Sequence, residues 1–355
     1  MDGSVPSRLP RKGTSALHVT VLRRFESGHL ARGGAPSLFA RRAVDARPMN
    51  GASGGDRFRS ARALPKLRAW VRALRPLAQG NLAPYILVGA FEGRRHGHAV
   101  EPVGVALALL WGVMDHGAIV LANDLGDEEA DRKSQGATLL SGGSRVLVDG
   151  ALGSTSLARG LMVAAAGLAL VAMMSAWLYP PRAALVVFCT CSAAALLFAY
   201  GHGPRLSYRG GGEWLQALGV GVVLPTVGAA MQPVHAVPLA WSTYVALVIL
   251  GLAGNIATSI PDAEDDAAAR KWSPAARLGV SRAFWWSLGL NVAGMTLAAW
   301  TASPAVLLAL PVLAFAASRS SLVRDRHTRM RAVYPLAFGG GTVVLAWAVA
   351  NVMAS

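Results

Sequence analysis

The chain has 355 residues, 53% of them hydrophobic and only 15% charged, with a mean hydropathy of +0.41. Soluble domains carry about 25% charged residues, so an ordinary soluble enzyme is excluded and a membrane protein is indicated. The formal net charge is +15, but residues 1–75 hold 16 Lys/Arg against Asp2, Glu26, Asp45 and Asp56, or +12 of it. Charge gathered in one tail argues against a nucleic-acid-binding body.

Residues 1–64 are rich in Arg, Gly, Ser and Pro, lack apolar periodicity and read as a disordered tail. They have no continuous apolar core of the kind a cleaved signal peptide needs. Met49 is a candidate start, and a transit peptide is the alternative for so Arg-rich a leader. Residues 65–355 read as one membrane domain. Stretches near the ~20 residues needed to cross a bilayer recur near 69–91, 99–122, 156–179, 182–200, 213–231, 238–260, 283–301, 304–318 and 334–353. The spacing predicts nine transmembrane helices, the first interrupted by Pro76 and Pro84 and the eighth short. Backbone groups in lipid must be paired within the segment, so the predicted fold class is all-α and polytopic.

Asp115 and His116 lie inside the second span, where ionisable groups are expensive and face the bundle. Asp115 is eight residues ahead of Asn123, hence on a similar face and deeper; it reads as an acceptor contact or as a silent partner of a neighbouring helix. The span ends in NDLGDEEADRK. Asn123, Asp127 and Asp131 are spaced i, i+4, i+8, which a helix aligns on one face, where like charges repel by a few tenths of a kcal/mol per pair. A compensating cation is therefore expected. Cys189 and Cys191, within the fourth span, read as packing residues.

The stretch AYGHGPRLSYRGGGEW (199–214) breaks regular structure. Its Arg205 and Arg209 either contact diphosphate oxygens, a task suited to Arg, or simply set topology. The sixth span ends in PDAEDDAAARKW, with Asp262 and Asp266 again at i, i+4 and Lys271 five residues on. With the tail inside, the even-numbered loops carry fourteen Lys/Arg, Lys133 among them, and the opposite loops only Arg94, Arg95 and Arg182. This positive-inside bias puts both acidic motifs at cytoplasmic helix ends. Two acidic faces meeting there would suit a hard divalent cation, Mg²⁺ first, bridging carboxylates to substrate phosphates.

NDLGDEEAD resembles the N-D-x-x-D-x-x-x-D motif of the UbiA superfamily of intramembrane prenyltransferases, and DAEDDAAARKWSPAARLG is similar to that family's second motif. LRPLAQGNLAPYILVG (74–89), LLSGGSRVL (139–147) and the pattern over 200–213 agree with it, so the resemblance covers roughly residues 68–353. The SGGSRVL and Y-R-G-x-G-E stretches look most like the 1,4-dihydroxy-2-naphthoate branch, which makes menaquinone precursors. The chain departs from that branch at Ile260, Pro261, Trp272 and Ser273.

The resemblance implies a helical bundle around a central cavity, with polar caps on the cytoplasmic side of what is expected to be a bacterial membrane. It implies that Asn123, Asp127 and Asp131, with Asp124, hold one Mg²⁺ and that Asp262 and Asp266 hold a second. Both ions would bind the diphosphate of an isoprenyl donor. Lys271, with Lys133 or Arg209, would neutralise charge as the C–O bond breaks, and Tyr200 and Asp115 fall on the substrate side. An electron-rich aromatic acceptor would then attack the allylic cation. A terpene cyclase using the same site without an acceptor is the rival within enzymes. A transporter with an acidic vestibule is the rival outside them, although transporters place essential acids near the midplane.

Overall fold

A computed structural model describes residues 55–133, 143–233 and 239–354, with the backbone alone for 55–64 and Gln79. The predicted disordered tail up to residue 54, Met49 and the 139–142 part of LLSGGSRVL lie outside the described residues. Among the described residues every regular element is helical. Two helices, α1 (Gly55–Leu74) and α2 (Pro76–Phe91), meet at Arg75. The second predicted span is α3 (Pro102–Gly126), followed by the short α4 (Glu128–Lys133). Then come α5 (Ser154–Leu178), α6 (Ala183–Gly201) and α7 (Leu206–Arg209).

The fifth predicted span is composite: α8 (Gly212–Leu218), a π-helical turn over Gly219–Val223, and α9 (Leu224–Ala230). Beyond it lie α10 (Trp241–Ser259), α11 (Ala263–Ala268), α12 (Pro274–Leu278) and α13 (Val280–Thr301). A 3₁₀ stretch at Pro304–Ala309 leads into α14 (Leu310–Ser318), and α15 (Met330–Met353) closes the fold.

Six of these segments are long and apolar enough to cross a membrane: Pro102–Gly126, Ser154–Leu178, Pro180–Gly201, Gly212–Ala230, Trp241–Ser259 and Met330–Met353. The other predicted crossings are helical but fall short by length or composition. The stretch 69–91 is split at Arg75, α13 is more polar, and Pro304–Ser318 is a shorter apolar helix.

Close helix approach organises the bundle. Helices α2 and α9 meet at Gly89 and Gly228, where an added Cβ would overlap the Pro225 and Ile86 carbonyl oxygens respectively. Small residues permit this backbone proximity, the main source of helix association in lipid. Trp111, Leu250, Phe284 and Trp347 fill the core behind that contact and are fully buried. At the end away from the acidic motifs, Glu92 is buried and paired with Arg95 (3.2 Å) and with Nδ2 of Asn351 (3.1 Å).

Candidate active site

The acidic motifs begin where apolar helices stop. Helix α3 ends at Gly126 and Asp127 leaves the helix, but the hydrogen-bond ladder runs on: Asp127 N donates to Asn123 O and Asp131 N to Asp127 O, both at 2.8 Å. The i, i+4, i+8 face therefore survives the break before α4. On the other half, Asp262 caps α11, and Asp266 N donates back to Asp262 O at 2.7 Å.

The two motifs face one cavity of about 180 Å³. Asn123, Asp124, Asp127 and Asp131 line it from the first motif, and Asp262, Asp265, Asp266 and Lys271 from the second. Tyr200 and Glu213 close the wall between them. A direct link joins the halves, since Lys271 Nζ lies 3.5 Å from Asp127 Oδ2. Tyr208 donates its hydroxyl to Asp127 Oδ1 at 2.8 Å, and the Arg205 guanidinium stacks on the Tyr208 ring at 4.3 Å.

Carboxylates outnumber cations on this wall, and the protonation equilibria reflect it. Burial first, then the neighbouring Asp124 and Asp127, pushes Asp131 up to about 6. Burial likewise raises Asp266, against the pull of Lys271. Burial would lower the Lys271 ammonium, but the Tyr200 hydroxyl and the Asp127 and Asp266 carboxylates outweigh it and hold the group above the ordinary lysine range. Burial and the adjoining Asp127 raise Tyr208 to about 12, so it stays a donor.

The donor set is oxygen, carboxylate above all, with neither His nor Cys among the described residues of the cavity wall. Among the described residues no three of His, Cys, Asp and Glu converge into a closed metal cage. That combination fits Mg²⁺, which dehydrates reluctantly and is held by one or two carboxylates plus water and phosphate oxygens.

The model of the UbiA prenyltransferase family matches residues 82–341, most of the chain. This chain belongs to that family. As a UbiA prenyltransferase carrying six helices long and apolar enough to span a bilayer, it is an integral membrane enzyme. Its fold is similar to that of a UbiA homolog from Archaeoglobus fulgidus bound to GPP and Mg²⁺, with a TM-score of 0.53 and 17% identity over 80% of this chain and 99% of that one. It is similar to the apo UbiA homolog from Aeropyrum pernix K1 at a TM-score of 0.56 and 19% identity, over 75% and 97% of the two chains. A structure described for digeranylgeranylglyceryl phosphate synthase matches at 0.51 and 14% identity, over 81% and 99%. No curated protein sequence matches the chain.

Within this UbiA chain the residues singled out from sequence divide into two groups. Eight of them — Asn123, Asp124, Asp127, Asp131, Tyr200, Asp262, Asp266 and Lys271 — line the cavity. Lys133 instead pairs with Glu129 at 2.9 Å, and Arg209 is exposed outside the cavity wall. Asp115 is buried deeper along α3 and does not reach the cavity wall. Asp124 is engaged by protein: Arg75 donates to its Oδ1, and the Ser144 hydroxyl donates to its Oδ2.

Sequence reasoning assigns no role to several wall residues. Arg75 adopts a left-handed conformation (φ 46) between α1 and α2, and from there its guanidinium reaches Asp124. All four described non-glycine residues with positive φ are arginines: Arg75, Arg145, Arg205 and Arg270. Such backbone strain gathers at functional sites. Asn255, Thr258 and Ser259 line the cavity one turn and more ahead of Asp262. Their i, i+3, i+4, i+7 spacing with Asp262, polar positions along an otherwise apolar helix, is a signal that could have found them.

Proposed function

We propose that this enzyme transfers an isoprenyl group from an isoprenyl diphosphate to an aromatic acceptor of the naphthoate or benzoate type, with Mg²⁺ in the cavity between the two acidic motifs. The observation carrying this reading is that both motifs and Lys271 line a single cavity at the ends of membrane helices. Asn123, Asp127 and Asp131 on one side and Asp262 and Asp266 on the other would hold the metal, as two ions in this proposal. The chemistry Mg²⁺ supplies there is neutralisation of the diphosphate as a leaving group. The similar UbiA homolog from A. fulgidus binds GPP or DMAPP together with Mg²⁺, which supports this donor and this metal.

In the proposed step the bond between the allylic C1 and the diphosphate oxygen breaks, and its electron pair leaves with the diphosphate. Lys271 stands beside Asp127 and Asp266 to meet that charge, and Tyr208 and Arg75 hold the carboxylates of the first motif in place. A ring carbon of the acceptor attacks C1 and then loses a proton, or carbon dioxide from a carboxylated naphthalene. The 1,4-dihydroxy-2-naphthoate branch, and with it menaquinone biosynthesis, is the branch we favour, on the Y-R-G-x-G-E and SGGSR segments. We place the motifs on the cytoplasmic side of a bacterial membrane and count nine crossings, from the loop charge bias and the recurring apolar stretches.

Purified protein, Mg²⁺, a labelled isoprenyl diphosphate and a panel of aromatic acids test the proposal. Asp127→Ala and Asp262→Ala are each expected to lose more than about 100-fold of turnover while the protein still inserts in the membrane. Near-wild-type activity in both variants would refute the site, and hydrocarbon formed from geranylgeranyl diphosphate alone would refute the acceptor.

A further inference from the structure

Helix α11 carries the second motif and is only six residues long. A helix this short has no independent stability in water, even with Glu264, Asp265 and Asp266 favourably placed in its first turn. Something outside the segment must therefore hold it. Arg329, the residue before α15, is 2% exposed. Its two terminal nitrogens donate to the two carboxylate oxygens of Glu264, each at 2.7 Å. Its Nε donates to Val323 O at 2.9 Å, and Nη1 reaches Ile260 O at 3.4 Å.

One buried guanidinium thus grips the chain on both sides of Asp262 and ties it to the turn at Ser320–Arg324. Three residues earlier, Arg326 donates from its Nη2 to both oxygens of Asp265, at 3.1 and 3.2 Å. Burying a guanidinium is costly unless its donors are matched, and here a bidentate carboxylate and two carbonyls match them. Neither arginine lines the cavity. The first motif is served by a similar arrangement: Arg75 holds Asp124, while Arg72, three residues before it, holds Asp149 at 2.7 Å and Ser144 O at 2.8 Å.

We infer that Arg329, seconded by Arg326, is a positioning residue. It fixes α11 so that Asp262 and Asp266 present their carboxylates to the cavity together, and it acts without touching the substrate. This inference rests on the proposed metal–diphosphate site. The coupling predicts that loosening the strap weakens metal affinity before it affects the acceptor side.

The test uses full-length protein in detergent and follows thermal stabilisation by Mg²⁺ in the presence of inorganic pyrophosphate. Hydrogen exchange of the 262–269 amides is measured in EDTA. Arg329→Lys keeps the charge but loses the fork, and is expected to raise the half-saturating Mg²⁺ about tenfold. It should also speed exchange in 262–269 and leave the KM for an aromatic acceptor within about twofold. Arg326→Gln, at the more exposed position, is expected to shift the Mg²⁺ midpoint about threefold and carries the test if Arg329→Lys fails to fold. An unchanged midpoint with unchanged exchange in the folded variants overturns the inference. Asp262→Ala separates the two levels. If it loses stabilisation while the arginine variants keep theirs, the strap is wrong and the site stands; if it keeps stabilisation, the site itself is wrong.

Discussion

Asp131 shows what the cavity costs the fold. The residue is buried, an added Cβ on Gly143 would overlap its carboxylate, and Arg145 donates to its backbone carbonyl. Its folded pKa of about 6 lies above the ordinary 3.8. A raised carboxylate pKa contributes stability that is fully present below the unfolded pKa and is lost as pH rises through the folded value. In EDTA, the protein's thermal midpoint should therefore fall as pH rises from about 4 to above 6. Asp131→Asn should flatten that dependence and raise metal-free stability at pH 7.5, by on the order of 2 kcal/mol. The same variant should lose Mg²⁺-dependent stabilisation. A midpoint at pH 7.5 no higher than wild type would show that the charge is compensated in a way these contacts do not provide. The importance of Asp131 is legible from the i, i+8 spacing, whereas its raised pKa depends on burial and on the approach of residues 143–145.

At the scale of elements, the helix bundle depends on how tightly α2 and α9 are drawn together. Gly89 and Gly228 bring backbone onto backbone, and the opposing atoms are carbonyls that no rotamer change can move aside. Gly228→Val is expected to cost about 3 kcal/mol or more, in line with overpacking against rigid neighbours. It would be read as a drop in the detergent melting midpoint and a lower yield of monodisperse protein, and a midpoint within 1 °C of wild type would contradict the packing. The apolar runs foretold these helices, but not the close pairing, because a glycine in an apolar run looks the same whether it meets a carbonyl or lipid. The π-helical turn at Gly219–Val223 and the break at Asp127 were equally invisible to periodicity, whereas Pro76 marked the break at Arg75 and the expected interruption at Pro84 is absent, α2 running through it.

For the whole molecule, the asymmetric charge is the strongest constraint. His96 and Arg132 lie beyond opposite ends of α3 and are both exposed. On a background lacking Cys189 and Cys191, a cysteine at Arg132 should react with an impermeant maleimide in inside-out vesicles, and one at His96 only in right-side-out vesicles. The reverse labelling would invert the proposed sidedness. The sequence by itself determined the all-helical membrane class, the two acidic motifs and their shared side, because hydropathy, carboxylate spacing and loop charge are local properties of the chain. Only the tertiary structure decided which polar groups meet. It committed Asp124 to Arg75 and Ser144, paired Lys133 with Glu129, and drew Lys271 and Tyr208 onto Asp127. It also clamped Glu264 with Arg329 across 65 residues. Such pairings follow from how helices far apart in sequence cross, and a linear pattern carries no record of which side chain another helix will bring within 3 Å.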